Sequence, residues 1–438
     1  MSQAEVGIIG ILVMLLIFMT RMPVAYAMGL VGFLGFSYLK SIDGGMSLLA
    51  KVMYGEFSNY GLTTIPLFIL MGQIAFNSGI SKKLYNTAYH FFGNINGGLS
   101  MATVASCTAF GAVCGSSPAT AATMATVGMP EMRRYKYSDE LSAGSVASGG
   151  GLGMIMPPSV VLIVYGILTE QSISKLFVSG ILPALLLTFL FIIAIAVKCH
   201  FSPELGPKGE SFTLKEKLIS LTGLIDTLAV FVLVVGGLFV GLFTPTEAAS
   251  VGVFGVLFIA LVRKQLTFDG FVKSLHETLT TSCMVLFLIA GAVVFGKFLA
   301  VTRIPFDIAI WISSFNLPPY AIMSMIVLIF FIGGCFMDSL AMIMLTIPVF
   351  FPIVQKLGYD PVWFGIIIVL ITEMGVITPP VGINVYVVYG VSKEVVGDIS
   401  LESIFKGIIP FLFAIIAGLV LLFIFPEIIL FLPELMFE

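Results

Sequence analysis

Gly153-Met154-Ile155-Met156-Pro157-Pro158 recurs later in the chain as Gly375-Val376-Ile377-Thr378-Pro379-Pro380, at an offset of 222 residues from Pro157 to Pro379. A shared offset across several glycine, serine, proline and tyrosine positions predicts an internal repeat. Proline lacks a backbone N–H and cannot continue a helix, so each Pro-Pro pair predicts a helix break. The offset also pairs Gly111 with Gly333, Ser117 with Ser339, Pro130 with Pro352, and Tyr137 with Tyr359.

The composition indicates a membrane protein. Of the 438 residues, 58% are hydrophobic and 10% are charged, and the mean hydropathy is +1.10. A soluble chain of this length needs more charge to cover its surface, so lipid must be the solvent for much of it. The net charge of −3 says nothing about nucleic-acid binding, but the sequence contains no basic patch that would indicate it. The 5 cysteines and 3 histidines are scattered and predict neither a disulfide framework nor a metal site.

Apolar stretches of membrane-spanning length recur along the chain. One helical crossing needs about 20 apolar residues. Two longer blocks, 97–129 and 320–352, contain no polar loop but are interrupted by Cys114-Gly115-Ser116-Ser117-Pro118 and by Phe336-Met337-Asp338-Ser339. Such blocks predict re-entrant hairpins with tips at membrane depth. The predicted crossings lie near residues 4–20, 22–39, 64–80, 142–169, 176–197, 219–243, 246–262, 278–300, 362–390 and 404–425.

The basic residues favour one topology, because Lys and Arg are enriched in cytoplasmic loops. With the N-terminus outside and both hairpins returning to their own side, 15 of the 21 Lys and Arg residues, Arg21 among them, face the cytoplasm. The hairpins then enter from opposite sides. We therefore predict an all-α polytopic membrane protein built from two inverted repeats, a layout typical of secondary transporters with a midplane substrate site. The predicted parts are a first repeat at 1–199, with a hairpin at about 97–129 and a broken helix at about 142–169; a cytoplasmic linker at 200–217; and a second repeat at 218–438, with a hairpin at about 320–352 and a broken helix at about 362–390.

The tips and breaks carry residues suited to binding ions and an anion. A broken helix frees carbonyl and N–H groups that need partners. Carbonyls and hydroxyls coordinate Na⁺, and helix N-termini favour an anionic substrate group. We predict one cation site per half, with the organic substrate between them, and neither a catalytic residue nor a cofactor. The predicted substrate- and ion-binding residues are Gly115, Ser116, Ser117, Ser148, Gly153, Pro157, Asp338, Ser339, Thr372, Gly375, Thr378 and Asn384.

Several of these residues have structural alternatives. A carboxylate near mid-membrane predicts that Asp338 contacts an ion or substrate, but it can also cap the following helix, and the two roles are compatible. Ser116 and Ser117 can act as ligands, or each can bond back to its own helix. Glu373 fits structural pairing and functional involvement equally, and Asp226 is interpreted as interfacial.

Three stretches resemble the large membrane subunit, or DctM type, of the TRAP (tripartite ATP-independent periplasmic) transporters. They are Phe243-Thr244-Pro245-Thr246-Glu247-Ala248-Ala249, the Pro157-Pro158-Ser159 break, and Ile377-Thr378-Pro379-Pro380-Val381-Gly382-Ile383-Asn384. The resemblance covers essentially the whole chain. In the Thr-Pro-Thr-Glu stretch, Glu247 is interpreted as structural or partner-contacting.

The resemblance implies Na⁺-coupled uptake of an organic acid, such as a C4-dicarboxylate or a sialic acid, by an elevator mechanism. It also implies a small TRAP membrane subunit and a periplasmic substrate-binding protein as partners, in a bacterial or archaeal cytoplasmic (inner) membrane. The coupling ions are then expected at Ser116, Ser117 and Gly153 in one half, and at Asp338, Ser339, Gly375 and Thr378 in the other.

Three other classes of function fit the sequence less well. A channel predicts a continuous polar stripe, whereas the polar residues here cluster at two repeat-related breaks. An intramembrane enzyme needs a nucleophile–base pair or metal ligands, for which only a dyad of Asp338 and Glu373 is conceivable. An ATP-driven pump needs a Walker-type loop, and the sequence has none.

Overall fold

The computed structural model describes residues 2–18, 20, 22–304, 307 and 318–437, so Arg21 of the predicted topology lies outside the described residues. Throughout the described part the regular elements are helical, which confirms the all-α prediction. The helices before the linker are α1 (Gln3–Phe18), α2 (Val24–Leu39), α3 (Ile42–Phe57), α4 (Thr64–Asn77), α5 (Ile80–Phe92), α6 (Gly98–Cys114), α7 (Ser117–Arg134), α8 (Asp139–Ile155), α9 (Val160–Thr169) and α10 (Ile173–Phe201). The helices after it are α11 (Leu214–Ser220), α12 (Thr222–Phe231), α13 (Gly237–Phe239), α14 (Pro245–Val262), α15 (Phe268–Thr302), α16 (Pro319–Gly334), α17 (Ser339–Lys356), α18 (Pro361–Ile377), α19 (Ile383–Val395), α20 (Leu401–Ile424) and α21 (Glu427–Phe437).

Many of these helices are long and apolar enough to cross a bilayer. In the described ranges 7 spans meet that criterion, and the bent pair of α8 and α9, with 41° between them, brings the number to 8. Five shorter apolar helices, of 10–17 residues, accompany them. The chain is therefore a multi-pass membrane protein.

Each long apolar block folds as two helices joined by a short turn. We name α6 and α7 the first hairpin and α16 and α17 the second hairpin. They occupy residues 98–134 and 319–356, a few residues longer at their C-terminal ends than the predicted blocks. The two helices of each hairpin pack against each other. The entry of the hairpins from opposite sides of a membrane stays a prediction.

The two predicted helix breaks are present. The first break, residues 156–159, separates α8 from α9, and the second break, residues 378–382, separates α18 from α19. Both Pro-Pro bonds, Pro157-Pro158 and Pro379-Pro380, are cis. A helix precedes and follows each break, so the chain resumes a helix after each interruption.

The helices that lead into the breaks form the centre of the protein. Every residue of α8 from Leu141 to Ile155 is buried, and so is every residue of α18 from Val362 to Ile377. Burial around the full circumference places a helix inside a packed core rather than at a lipid-facing surface. The first hairpin packs on α8, and both helices of the second hairpin pack on α18.

Three helices lie where the sequence predicted no crossing. Within α3, Asp43, Lys51 and Glu56 interrupt the apolar pattern, and α5 carries two lysines. The third, α21, has only 11 residues, too few for a crossing. Because these helices are amphipathic or short, a search for apolar stretches of crossing length does not identify them.

A buried ion-pair cluster joins α5 to α12 and α14. Asp226 of α12 is buried, and its carboxylate oxygens lie 3.0 Å from Lys83 Nζ and 3.1 Å from Arg263 Nη2. A buried carboxylate is tolerated when it is paired and hydrogen-bonded. Asp226 is therefore paired with two partly exposed cations, and its interfacial position stays a prediction.

Candidate functional site

The tip of the first hairpin is a two-residue turn. Helix α6 ends at Cys114, Gly115 has a φ of 64°, and Ser116 is extended before α7 begins at Ser117. A Cβ at position 115 would overlap the carbonyl oxygen of Pro158. Glycine is therefore required both by the left-handed backbone and by close packing of the tip on the first break. The Ser116 side chain makes no capping hydrogen bond to α7.

The tip of the second hairpin is longer and is capped by a carboxylate. Helix α16 ends at Gly334 and α17 begins at Ser339. The Asp338 side chain accepts a hydrogen bond from the Ala341 N–H at 3.0 Å, so Asp338 is the N-cap of α17. Val381 N–H donates to the Cys335 carbonyl at 3.3 Å, which joins this tip to the second break.

The helices that follow the two breaks begin differently. Ser159 caps α9 by accepting a hydrogen bond from the Leu162 N–H at 3.3 Å. Helix α19 instead starts after Gly382, which has a φ of 60°, and no side chain caps it. Uncapped N-terminal amides are free to bind an acceptor from elsewhere.

A cavity of about 420 Å³ lies where the tips and breaks meet. It is bounded by both tips, by residues next to both breaks, and by one wall formed by α4 and α15. Five predicted site residues line it, namely Gly115, Ser116, Ser117, Asp338 and Ser339. The other seven lie outside its lining: Ser148, Gly153, Pro157, Thr372, Gly375, Thr378 and Asn384.

Asn384 connects the two halves behind the cavity. Its Nδ2 donates hydrogen bonds to Ser117 Oγ at 2.8 Å and to the Ala147 carbonyl at 3.0 Å. Because Asn384 is the second residue of the uncapped helix α19 and Ser117 is the first residue of the uncapped helix α7, this contact brings the two free N-termini together. Asn384 Oδ1 is buried and has no partner in the described part of the chain, and the same is true of Ser148 Oγ.

Gly153 and Gly375 allow helices to approach closely. A Cβ on Gly111 would lie 2.6 Å from Gly153 Cα, and a Cβ on Gly375 would lie 2.7 Å from Gly334 Cα. In each half, the first hairpin helix therefore touches the broken helix through a pair of glycines. These glycines bring the tip and the break into contact, and their backbone carbonyls lie beside that contact.

The threonines of the second half bond to their own helix. Thr372 Oγ1 donates to the Val369 carbonyl at 2.9 Å, and Thr378 Oγ1 donates to the Met374 carbonyl at 2.6 Å. A hydroxyl that donates one bond keeps its acceptor lone pairs, so both oxygens can still accept or coordinate. Ser339 Oγ is buried at the edge of the cavity and has no partner among the described residues.

Glu373 has a position that sequence reasoning left open. It is fully buried, neither of its carboxyl oxygens has a hydrogen-bond partner in the described ranges, and its side chain packs against Gly151. The repeat offset pairs position 151 with position 373, so the two repeat-related positions touch each other. The repeat offset was therefore the sequence feature from which their contact could have been predicted. Since Asp338 bonds the Ala341 amide and Glu373 bonds nothing, the two carboxyls do not form a hydrogen-bonded dyad.

The electrostatic character of the cavity follows from its side chains. Among the described lining residues, Asp338 is the single carboxylic acid, and Lys, Arg and His are absent. No group of three His, Cys, Asp or Glu residues in the described part is arranged to hold a metal ion. The residues at the tips offer hydroxyls, one carboxylate and backbone groups, which suit an alkali cation and an anion better than a transition metal.

Sequence reasoning missed the wall of the cavity that is formed by α4 and α15. Gln73 of α4 and Thr281 of α15 line it, each at a polar position inside an apolar predicted crossing. Polar residues within a membrane span commonly face a cavity or the protein interior. That signal was present in the sequence but did not identify which neighbours these two residues would face.

Comparisons with known proteins agree with this architecture. The sequence profile of the family described as "Tripartite ATP-independent periplasmic transporter, DctM component" matches residues 11–428. The C4-dicarboxylate TRAP transporter large permease protein DctM of Pseudomonas aeruginosa is 34% identical over 397 residues, covering 90% of this chain and 91% of that protein. The sialic acid TRAP transporter large permease protein SiaM of Vibrio cholerae is 32% identical over 424 residues, covering 94% and 95%.

A solved structure shares the fold. The crystal structure of the Alcanivorax borkumensis YdaH transporter aligns with a TM-score of 0.63 at 14% identity, covering 89% of this chain and 90% of that one. At this identity the likeness concerns the fold alone. The match of the family profile to nearly the whole chain establishes that this protein belongs to the DctM-component family of TRAP transporters, as a large permease subunit of a secondary transporter rather than an enzyme.

Proposed function

We propose that this permease takes up an organic acid by coupling it to Na⁺, with the substrate held in the cavity between the two tips. The observation that carries the proposal is the meeting of both hairpin tips and both break regions at one cavity of about 420 Å³. Helix ends at membrane depth are tolerated where they line a cavity or bind ions and substrate. The relatives named for C4-dicarboxylate and sialic acid are both permeases for organic acids.

The anionic group of the substrate is proposed to lie at the uncapped N-termini of α7 and α19. Free N–H groups and the helix dipole favour a negative charge at such ends. The Asn384–Ser117 hydrogen bond of 2.8 Å brings these two ends together. Since basic side chains are absent from the described cavity lining, backbone amides and hydroxyls are the groups available to a carboxylate.

The coupling ions are proposed to lie at the two tip–break contacts. In the first half, oxygens of Ser116, Ser117 and Gly153 are the candidate ligands. In the second half they are oxygens of Asp338, Ser339, Gly375 and Thr378. Buried oxygens without partners, such as those of Ser339 and Asn384, support cation binding in this region, because an unsatisfied buried acceptor is unfavourable until a cation or donor reaches it.

An elevator mechanism is proposed for the movement between the two sides. The hairpins and broken helices would move together against α4 and α15. The first tip rests on α4, where a Cβ on Gly72 would lie 2.9 Å from the Cys114 carbonyl oxygen.

Membership of the family supports a proposal for the partners and the location. Large permeases of this family work with a small membrane subunit and a substrate-binding protein. We propose that the substrate-binding protein is periplasmic and that the permease lies in the bacterial or archaeal cytoplasmic (inner) membrane.

Uptake into proteoliposomes tests the proposal. The permease would be reconstituted with its small subunit, and labelled succinate or N-acetylneuraminate would be supplied outside with the cognate binding protein. We expect accumulation that requires both an inward Na⁺ gradient and the binding protein. Accumulation that persists after a Na⁺ ionophore collapses the gradient would refute Na⁺ coupling. Absence of uptake of both acids by a folded complex would refute the proposed substrate class.

A further inference from the structure

The wall of the cavity formed by α4 and α15 carries two neutral polar side chains. Gln73 of α4 and Thr281 of α15 line the cavity, and both residues are half-buried. Neither side chain has a hydrogen-bond partner within the described residues. The Gln73 backbone carbonyl accepts from Asn77 Nδ2 at 3.0 Å and from Ser274 Oγ at 3.2 Å, which fixes α4 here while the amide stays available.

The tips offer one position for an anionic group. The uncapped N-termini of α7 and α19 converge, because Asn384 Nδ2 bonds Ser117 Oγ at 2.8 Å. Next to them Ser339 is buried at 5% exposure, and its Oγ lines the cavity without a partner among the described residues. The described lining contains the acidic Asp338 and no Lys, Arg or His. A second anionic group would therefore find no cationic side chain there.

We propose that Gln73 and Thr281 bind the neutral end of the substrate, and that the cavity selects hydroxylated monocarboxylates, such as sugar acids, over dicarboxylates. This inference rests on the function proposed above and narrows its substrate class. An amide and a hydroxyl can each donate and accept, so together they match hydroxyl or amide groups on a substrate. A second carboxylate placed against them would lose its hydration without gaining a positive partner.

The selectivity has two parts. A site built to bond a substrate hydroxyl rejects an analogue that lacks it, because the site's own polar groups are then left unpaired. A dicarboxylate is rejected because its second charge would be desolvated beside Gln73 and Thr281, without a cationic partner in the described lining. The cavity volume of about 420 Å³ is within the range of roughly 300–1,000 Å³ for small-molecule sites and admits a six-carbon acid.

Ligand-induced stabilisation of the purified complex tests this inference without the binding protein. The permease and its small subunit, in detergent with NaCl, would be heated with gluconate, N-acetylneuraminate, succinate or butanoate. A ligand that binds only the folded state raises the unfolding midpoint according to its affinity. We expect gluconate or N-acetylneuraminate to bind at least about tenfold more tightly than succinate and butanoate.

Matched variants assign the effect to the two side chains. Gln73→Leu and Thr281→Val keep nearly the same volume and remove the hydrogen-bonding groups, so each should weaken binding of the hydroxylated acid about tenfold. Thr280→Val is the control, because the Thr280 hydroxyl already bonds the His276 carbonyl at 3.0 Å and lies outside the cavity lining. It should bind as the wild type does. If Gln73→Leu does not fold, the test rests on comparing the binding of the hydroxylated acid by Thr281→Val with its binding by Thr280→Val.

The outcomes separate this inference from the proposed function. Succinate binding as tightly as the hydroxylated acids would overturn the inference, and so would wild-type affinity in Gln73→Leu and Thr281→Val. Lack of stabilisation by any of the four acids in a folded complex would overturn it as well. Absence of Na⁺-driven uptake in proteoliposomes that contain the wild-type complex would overturn the proposed function itself. If the wild type shows normal uptake, and Gln73→Leu and Thr281→Val show the same uptake, this inference alone would be overturned.

Discussion

At the first hairpin tip, α7 begins without a side-chain cap, and the helix after the neighbouring break, α9, is capped by Ser159. At the second hairpin tip the arrangement is reversed. Asp338 caps α17, and α19 begins after the second break without a side-chain cap. Each half therefore keeps one free helix N-terminus, but on a different element.

Because the capped and uncapped helix N-termini are reversed between the halves, the two proposed ion sites differ chemically. The first tip offers only hydroxyls and backbone groups, whereas the second adds the Asp338 carboxylate. A carboxylate buried near mid-membrane is unfavourable without a cation, by roughly 2.5–3.5 kcal/mol on insertion scales. Binding of Na⁺ should thus depend strongly on Asp338 in the second half and on several weaker ligands in the first.

The largest effect is expected for Asp338→Asn. Asparagine caps a helix about as well as aspartate, so folding should be retained while the charge that attracts the cation is lost. We expect Na⁺-driven uptake to fall by at least about 100-fold, which corresponds to about 2.7 kcal/mol. Uptake of labelled acid in proteoliposomes measures it.

Asp360→Asn is the matched control for that prediction. Asp360 caps α18 by accepting hydrogen bonds from Val362 and Trp363 N–H, at 2.7 and 2.9 Å, and lies outside the cavity lining. It should transport as the wild type does. Wild-type uptake by Asp338→Asn, or an equal loss in both variants, would remove the special role of the second-half carboxylate.

A second prediction concerns the sharp turn of the first tip. Gly115→Ala places a side chain at a φ of 64° and into the Pro158 carbonyl. The backbone strain is about 1 kcal/mol and the overpacking adds roughly 1–3 kcal/mol. We expect a clear drop in the unfolding midpoint of the complex, together with lost uptake.

Gly358→Ala separates the two contributions, because Gly358 has a φ of 79° but no atom within 4 Å of an added Cβ. It should show the backbone strain alone, about 1 kcal/mol. Equal destabilisation of the two variants would mean that contact between the tip and the first break is unimportant for stability.

The repeat offset predicts the positions of tips and breaks because those positions depend on local signals. A Pro-Pro pair inside an apolar helical stretch interrupts the helix, and a polar interruption inside a long apolar block turns the chain back. The offset even pairs Gly151 with Glu373, which touch in the folded protein. The turns themselves differ in length, so the glycine partner of Gly375 is Gly334 rather than the Gly333 that the offset gives.

The side-chain partners at the site depend on contacts between distant parts of the chain. The Asn384–Ser117 hydrogen bond joins residues 267 positions apart, and its existence depends on the rotation of α19 against α7. Likewise, a local pattern cannot tell whether the Thr378 hydroxyl faces the cavity or bonds the Met374 carbonyl, as it does. The positions of Gln73 and Thr281 require knowing that α4 and α15 face the tips.

A third prediction uses the contact between Gly151 and Glu373. Gly151→Ala would overlap the Glu373 side chain, which fills the space that glycine leaves. We expect Gly151→Ala to destabilise the wild-type protein by roughly 1–3 kcal/mol and to be better tolerated in a Glu373→Ala background. A double-mutant cycle on unfolding midpoints should give a coupling of about 1–2 kcal/mol. Additive effects would mean that the two repeats do not meet at this pair.

The smallest effect is expected from the paired serines at the two tips. Ser117→Ala removes a hydroxyl that accepts the Asn384 hydrogen bond, whereas Ser339→Ala removes a buried hydroxyl without a partner in the described structure. If both oxygens bind Na⁺, each variant should raise the Na⁺ concentration for half-maximal uptake by about fivefold, or about 1 kcal/mol. Only Ser117→Ala should also lower the unfolding midpoint, because it leaves the buried Asn384 amide with one acceptor fewer. A Ser339→Ala protein with unchanged Na⁺ dependence would exclude that hydroxyl as a ligand and leave Asp338 as the dominant group of the second site.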